Sequence, residues 1–301
     1  MPIILIVLIL FAGGTGVSIV ADNSLPGDAL YGVKVGVNEN VRLALAISEE
    51  SRGTLSGKLA DRRLAEAEQL IAESRLNAEL ALKIKTNFKK HADKIVKISS
   101  DLEAKNKLES VGEVNSEFEA RLRAHERVLA EFRVTDPELQ GEVSALLELV
   151  RNNISTANSA SIGVEAKLVA AGGPEIESAA KGKLKATESK IKEVESFIAK
   201  SKAKSKPETT LDAEARLQVA KNTLEAGKVK LNAAQYGEAF QYFQKSIRVA
   251  SEAQALLSAK IGLEDKDRPD NNSKEPNASG TLRVNSSDKG VDVSGEADIG
   301  I

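Results

Sequence analysis

At 301 residues the chain is long enough for two domains or for one assembly of long helices. Its net charge of −2 supplies no global attraction to nucleic acid or anionic membranes, and the absence of cysteine excludes disulfides and thiolate sites. Charged residues make up 29% and aromatics 3%, with no Trp, which favours helices joined along narrow aliphatic and alanine seams.

Ile3 to Ala12 is continuously apolar, and with Gly13 to Ala21 the low-polarity span reaches the roughly 20 residues a bilayer requires. No Lys or Arg precedes it, so the positive n-region of an ordinary signal is missing. A membrane anchor through residues 3–21 is the leading expectation, followed by a cleaved signal ending near Ala21. A buried soluble helix comes third, because the run is apolar on every side. Gly13-Gly14-Thr15-Gly16 lacks the Gly-Lys-Ser/Thr ending of a phosphate loop, which leaves close packing or a signal c-region.

Pro26 prevents a helix from running through, Pro26-Gly27 suits a type II turn, and Asp28 is placed to cap the helix that follows. Leu30, Val33, Val37, Val41 and Leu45 then share one helical face, and Ser48-Glu49-Glu50 reads as a new cap and acidic first turn. The run Asp61-Arg62-Arg63 with Glu66 and Glu68 could meet an anionic partner. The plainer expectation is weak intrahelical salt bridges three and four residues apart. Tyr31 has the composition of a buried anchor with a bonded hydroxyl.

These residues carry a resemblance. Leu25-Pro26-Gly27-Asp28-x-Leu30-Tyr31-x-x-Lys34, then Glu39-x-Val41-Arg42-Leu43-Ala44, then Leu59-Ala60-x-Arg62-Arg63-Leu64-x-Glu66-Ala67, resemble a bacterial domain of unknown function. Phe88-Lys89-Lys90-His91 and Phe118 to His125 continue the likeness, which covers about residues 20–135. Gly32 stands where that family more often has Pro. The family occurs in exported or membrane-anchored proteins, which implies a location outside the cytoplasm. It has no established activity, so it lends no catalytic residues.

Beyond Asn77, Leu80, Ile84, Phe88, His91, Ile95, Ile98 and Leu102 recur every three or four residues, and a break is expected near Glu109-Ser110. Val111, Val114, Phe118, Leu122, His125, Leu129 and Phe132 repeat the scheme, so the two stripes are expected to pair as an antiparallel hairpin. Thr135-Asp136-Pro137-Glu138 is a stop and restart. Leu139, Val143, Leu146, Val150 and Ile154 carry a further helix, and Ala171-Gly172-Gly173-Pro174 marks a boundary. Leu184, Thr187, Ile191, Val194 and Ile198 form another stripe. Lys200 to Pro207 is a lysine-rich hinge, and residues 207–263 read as a helical hairpin turning near Asn232. From Glu264 the composition becomes Asp, Asn, Ser, Gly and Pro rich, the signature of a disordered tail.

The expected architecture is therefore all-α: an extended bundle of long amphipathic helices after an N-terminal apolar segment. Its divisions fall at 1–21, 24–134, 135–206, 207–263 and 264–301. The sharpest candidate site is the pair His91 and His125, each replacing an aliphatic residue on neighbouring stripes. If they face each other, they could hold a transition metal with Asp93, Glu119 or Glu126. Alternatively, each ring packs at a seam with one nitrogen bonded. No constellation marks an enzyme or a cofactor. The leading expectation is an extracytoplasmic, membrane-tethered or exported module with a structural or protein-interaction role. A metal or envelope-stress sensor built on His91 and His125 is the alternative, and an enzyme of unknown type, working through carboxylates alone, comes last.

Overall fold

A computed structural model describes residues 21–203 and 205–264. The apolar segment (except Ala21) and the polar tail beyond Glu264 fall outside the described residues. Within the described part the regular elements are all helical: α1 (Tyr31–Val33), a π-helical turn (Lys34–Asn38), α2 (Glu39–Leu45), α3 (Glu49–Ala72), α4 (Ala78–Ala104), α5 (Leu108–Glu131), α6 (Pro137–Ala171), α7 (Gly173–Lys202), α8 (Pro207–Asn232) and α9 (Tyr236–Glu264). No helix among the described residues is long and apolar enough to cross a membrane.

Side-chain caps define several of the starts. Ser48 accepts from the amide of Ser51, Asn77 from Leu80 and Asp136 from Leu139, each satisfying a donor that the first helical turn leaves open. Asp28 behaves differently from its expected role. Its carboxylate accepts from the amide of Leu25 behind it, at 2.7 Å, and α1 begins without a side-chain cap. The turn itself is as its sequence dictates, with Gly27 at φ +100° and the amide of Asp28 bonded to the Leu25 carbonyl.

The break expected near Glu109-Ser110 lies a few residues earlier. Asn106 adopts φ +57°, and the amide of Lys107 returns to the Leu102 carbonyl, a Schellman-like end. Asparagine tolerates this left-handed geometry, so Lys105-Asn106-Lys107 was the signal in the sequence.

α4 and α5 run antiparallel with Phe88 and Phe118 6.4 Å apart, and α3 beds into the groove they form. A methyl added at Gly53 would lie 2.9 Å from Val114 and 3.4 Å from Ile98, so glycine is what allows this approach. One hydrophobic core extends from Leu25 to Val164 and includes the buried stripe of α6; a second joins α7, α8 and α9. The segment 135–206 is thus shared between two cores. Each fully buried Phe or Leu in them contributes roughly 1.5–3 kcal/mol.

α5 is the hub. It packs on α3, α4, α6 and α9, and its buried residues, among them Val114, Ser116, Phe118, Glu119, Ala124 and His125, point in nearly every direction. Successive contacts of α5 with α9, from Ser116–Gln244 through Arg127–Glu252 to Glu131–Lys260, show that these two helices run parallel.

Candidate functional site

The first helical segment presents its charged side to the interior. Tyr31, Lys34, Glu39 and Leu43 are buried, whereas Val37, Val41, Leu45 and Ile47 are exposed, the last two at 72% and 95%. The π-helical turn is the cause. In an α-helix five residues rotate by about 500°, leaving Lys34 and Glu39 on different faces. The wider π turn, closed here by the amide of Glu39 bonding to the Lys34 carbonyl, brings both inward.

They meet α3. Arg63 is 0% exposed; its Nη2 donates to Glu39 at 2.6 Å and lies 2.9 Å from Glu66, while its Nη1 donates to the Tyr31 hydroxyl. The Tyr31 hydroxyl donates onward to Glu66 at 2.9 Å, and Lys34 lies 2.6 Å from Glu66 and donates to the Ser24 carbonyl. Two buried cations therefore face two buried carboxylates. Burial pushes the Tyr31 phenol above its ordinary value, reinforced by Glu66, and pulls Lys34 down. Glu39 is raised by burial, against the pull of Arg63. The salt bridge expected three residues apart within the helix forms between Arg63 and Glu66, but both residues also tie α3 to the opening segment, and Arg62 reaches Asp22 and Glu39.

His91, on α4, is 2% exposed beside this cluster. Its Nε2 lies 3.9 Å from Glu39, beyond hydrogen-bond reach, and its Nδ1 has no partner among the described residues. Burial, with Arg63, Lys90 and Lys94 adding repulsion, lowers its pKa to about 4, so the ring is neutral.

A second cluster occupies the opposite side of α3. Asp61 and Glu68 are seven residues apart and so share a face, whereas Arg63 and Glu66 are turned from it by roughly 140–200°. His125, on α5, is equally buried at 2%. Its Nδ1 is 2.7 Å from Glu68 and its Nε2 3.1 Å from Asp61. A neutral imidazole has one donor and one acceptor, and ionised carboxylates only accept. Both contacts therefore require an additional proton. Burial opposes the charge, but Glu68 and Asp61 outweigh it and raise His125 to about 10. On its outer side Asp61 also meets Arg121 at 3.4 Å.

Asp61, Arg121 and His125 line a polar cleft of about 460 Å³ between α3, α5, α7 and α9, opposite Lys190 and Glu193. Lys190 and Glu193 pair with each other at 3.1 Å, so the cleft neutralises its own charge. Nor does His125 resemble the base of a nucleophilic triad, because both of its nitrogens are already held by carboxylates.

The structure does not bring His91 and His125 together; α3 separates them. Asp93 pairs with Lys89, Glu119 with Arg123 and Arg248, and Glu126 with Arg151. Around His125 the two carboxylates sit at opposite ring nitrogens, and among the described residues no group of three or more His, Asp and Glu is arranged to hold a metal. Of the motif residues, Leu25 packs in the core, Pro26 and Gly27 form the turn, and Leu30 is half-buried beside it.

Fold and clusters together define an all-α module whose opening segment is fastened by buried ion pairs. Residues 23–136, from just before the Leu25–Asp28 turn to the cap of α6, match the model of a domain of unknown function (DUF5667). No curated protein matches the chain, and no solved structure does.

Proposed function

We propose that the chain is an extracytoplasmic helical module, tethered to a membrane through residues 3–21, with a structural or protein-interaction role and no catalysis. The observation that carries this reading is how the apolar segment joins the domain. Ala21 is buried, and Asp22 is held by Arg42, by Asn38 at 3.0 Å and by Arg62 at 4.0 Å. The exit from the apolar run is therefore pinned to the same helical segment that exposes Val37, Val41, Leu45 and Ile47. An exposed apolar stripe on the segment that holds Asp22 suits the boundary of a bilayer.

The polar clusters favour structure over turnover. Tyr31, Lys34 and His125 are bonded to buried partners, and among the described residues neither cluster sets a free nucleophile beside a base. A sensor using both histidines would need them at one site, and α3 stands between them.

Fractionation of cells expressing the full chain, with mass spectrometry of its mature N-terminus, tests the tether. The expected outcome is recovery with membranes and cleavage of the helical part by protease added outside intact cells. Cytosolic recovery of the full-length product would sink the reading. Cross-linking from envelope material then tests the interaction role, which requires a reproducible protein partner.

A further inference from the structure

Between α5, α6, α8 and α9 lies a second groove of about 460 Å³, unlike the self-neutralised cleft beside His125. Six cations line it: Arg123, Arg127, Arg151, Arg216, Lys245 and Arg248. Its walls carry two carboxylates, Glu126 and Glu252, and Glu119 lies beneath at 0% exposure. Glu165 is within electrostatic reach of Arg248, so the groove keeps a formal excess of at least two positive charges.

The buried carboxylates do more than offset charge; they aim the guanidinium groups. Glu252 accepts from Nε of Arg127 at 2.8 Å and pairs with Nε of Arg216 at 3.1 Å. Glu126 accepts from Nε of Arg151 at 2.8 Å. Glu119 holds Arg123 at 2.7 Å and Arg248 at 3.3 Å. Arg127, Arg216 and Arg151 are thus each gripped through Nε, and among the described residues no hydrogen bond occupies the terminal amino groups of their forks. Lys245 is exposed, with no ion pair among the described residues. Arginines fixed in this way, with planar forks presented from three helices, match the tetrahedral oxygens of phosphate better than a point charge would. The volume falls in the range of small-ligand sites.

We propose that this groove binds a compact, multiply charged phosphate, either a free phosphate compound or a phosphomonoester lipid headgroup. The inference does not depend on where the chain resides.

The test is titration calorimetry of the full chain in neutral detergent, with inorganic pyrophosphate as the probe at low and at high salt. Binding should be saturable and weaken as salt screens the groove. The double variant Arg151→Gln with Lys245→Gln removes two charges without unpairing a buried carboxylate. It should weaken binding roughly tenfold or more at unchanged Tm, the scale of losing charge-assisted hydrogen bonds. Arg127→Lys with Arg216→Lys keeps the charge but loses the forks, and should also weaken binding, whereas Lys89→Gln, on the surface of α4, should not.

Co-sedimentation with phosphatidic acid vesicles separates the two sources. If the vesicles bind and pyrophosphate displaces them, the ligand is a headgroup; if pyrophosphate alone binds, it is a free phosphate compound. Absence of pyrophosphate binding at low salt, or equal affinity in the Arg151/Lys245 variant, overturns the proposal.

Discussion

The two faces of α3 hold the same kind of residue in opposite states. His91 and His125 are equally buried, yet one is held neutral and the other charged. His91 stands beside a cluster whose two carboxylates are already matched by Lys34 and Arg63, and among the described residues no carboxylate lies within hydrogen-bond reach to compensate a charge on its ring. Among the described residues His125 is the sole cation directly bonded to Glu68, and it shares Asp61 with Arg121. Burial sets the size of the penalty for a charge, and the charge count of the immediate neighbours decides whether it is paid.

That comparison can be broken most severely at Arg63. Arg63→Met should cost about 3–5 kcal/mol by denaturant unfolding, because Glu39 and Glu66 would stay buried, with Lys34 left beside Glu66 and Arg62, at 3.7 Å, beside Glu39. A loss below about 1 kcal/mol would mean that water reaches the cluster and screens it. His125→Gln should come next, at about 3 kcal/mol, since it removes the charge that compensates Glu68.

The pH dependence sharpens the contrast, because the two histidines work in opposite directions. The folded-state pKa of His125, about 10, is above its unfolded value of 6.5. Its stabilisation is therefore complete below pH 6.5 and is lost as pH rises toward 10. The folded-state pKa of His91, about 4, is below 6.5. It therefore contributes nothing above 6.5 and lowers stability as pH falls from 6.5 to 4, where only the unfolded chain takes up the proton. Unfolding curves across pH should show that His125→Gln flattens the alkaline limb alone and His91→Leu the acid limb alone. At neutral pH, His91→Leu should change stability by less than about 1.5 kcal/mol, since a neutral ring with unused nitrogens gives way to an apolar side chain.

The smallest effect on folding is expected at the exposed stripe. Leu45→Ser with Ile47→Ser should stay within about 0.5 kcal/mol of the parent. The same variant should float less well with vesicles if the stripe meets lipid; unchanged flotation would remove that part of the proposal.

The helices were readable because their signals are local. The stripes of α4 and α5, the caps at Ser48 and Asp136 and the turn at Gly27 each depend on residues a few positions apart. The clusters were not readable, because Asp61-Arg62-Arg63 looks like any solvated run when partners 24 to 64 residues away are unknown. A hint was present in α3. Gly53, Ser56, Gly57, Ala60 and Ala67 let neighbours approach closely, and charges among such small residues have little room to reach solvent. The first segment misled for another reason: its apolar stripe was regular, but the stripe faces outward. The histidine pair failed on the same ground, since two positions on adjacent stripes are neighbours only if no third helix lies between them.

The π-helical turn at Lys34–Asn38 makes the opening segment sensitive to chain length as well as composition. Adding one residue there, after Gly36 for instance, would swing everything beyond it by about 100°. Glu39 would rotate away from Arg63, and Arg42 would leave Asp22. One residue too many would uncouple Asp22 from Arg42 while every charged side chain was still present.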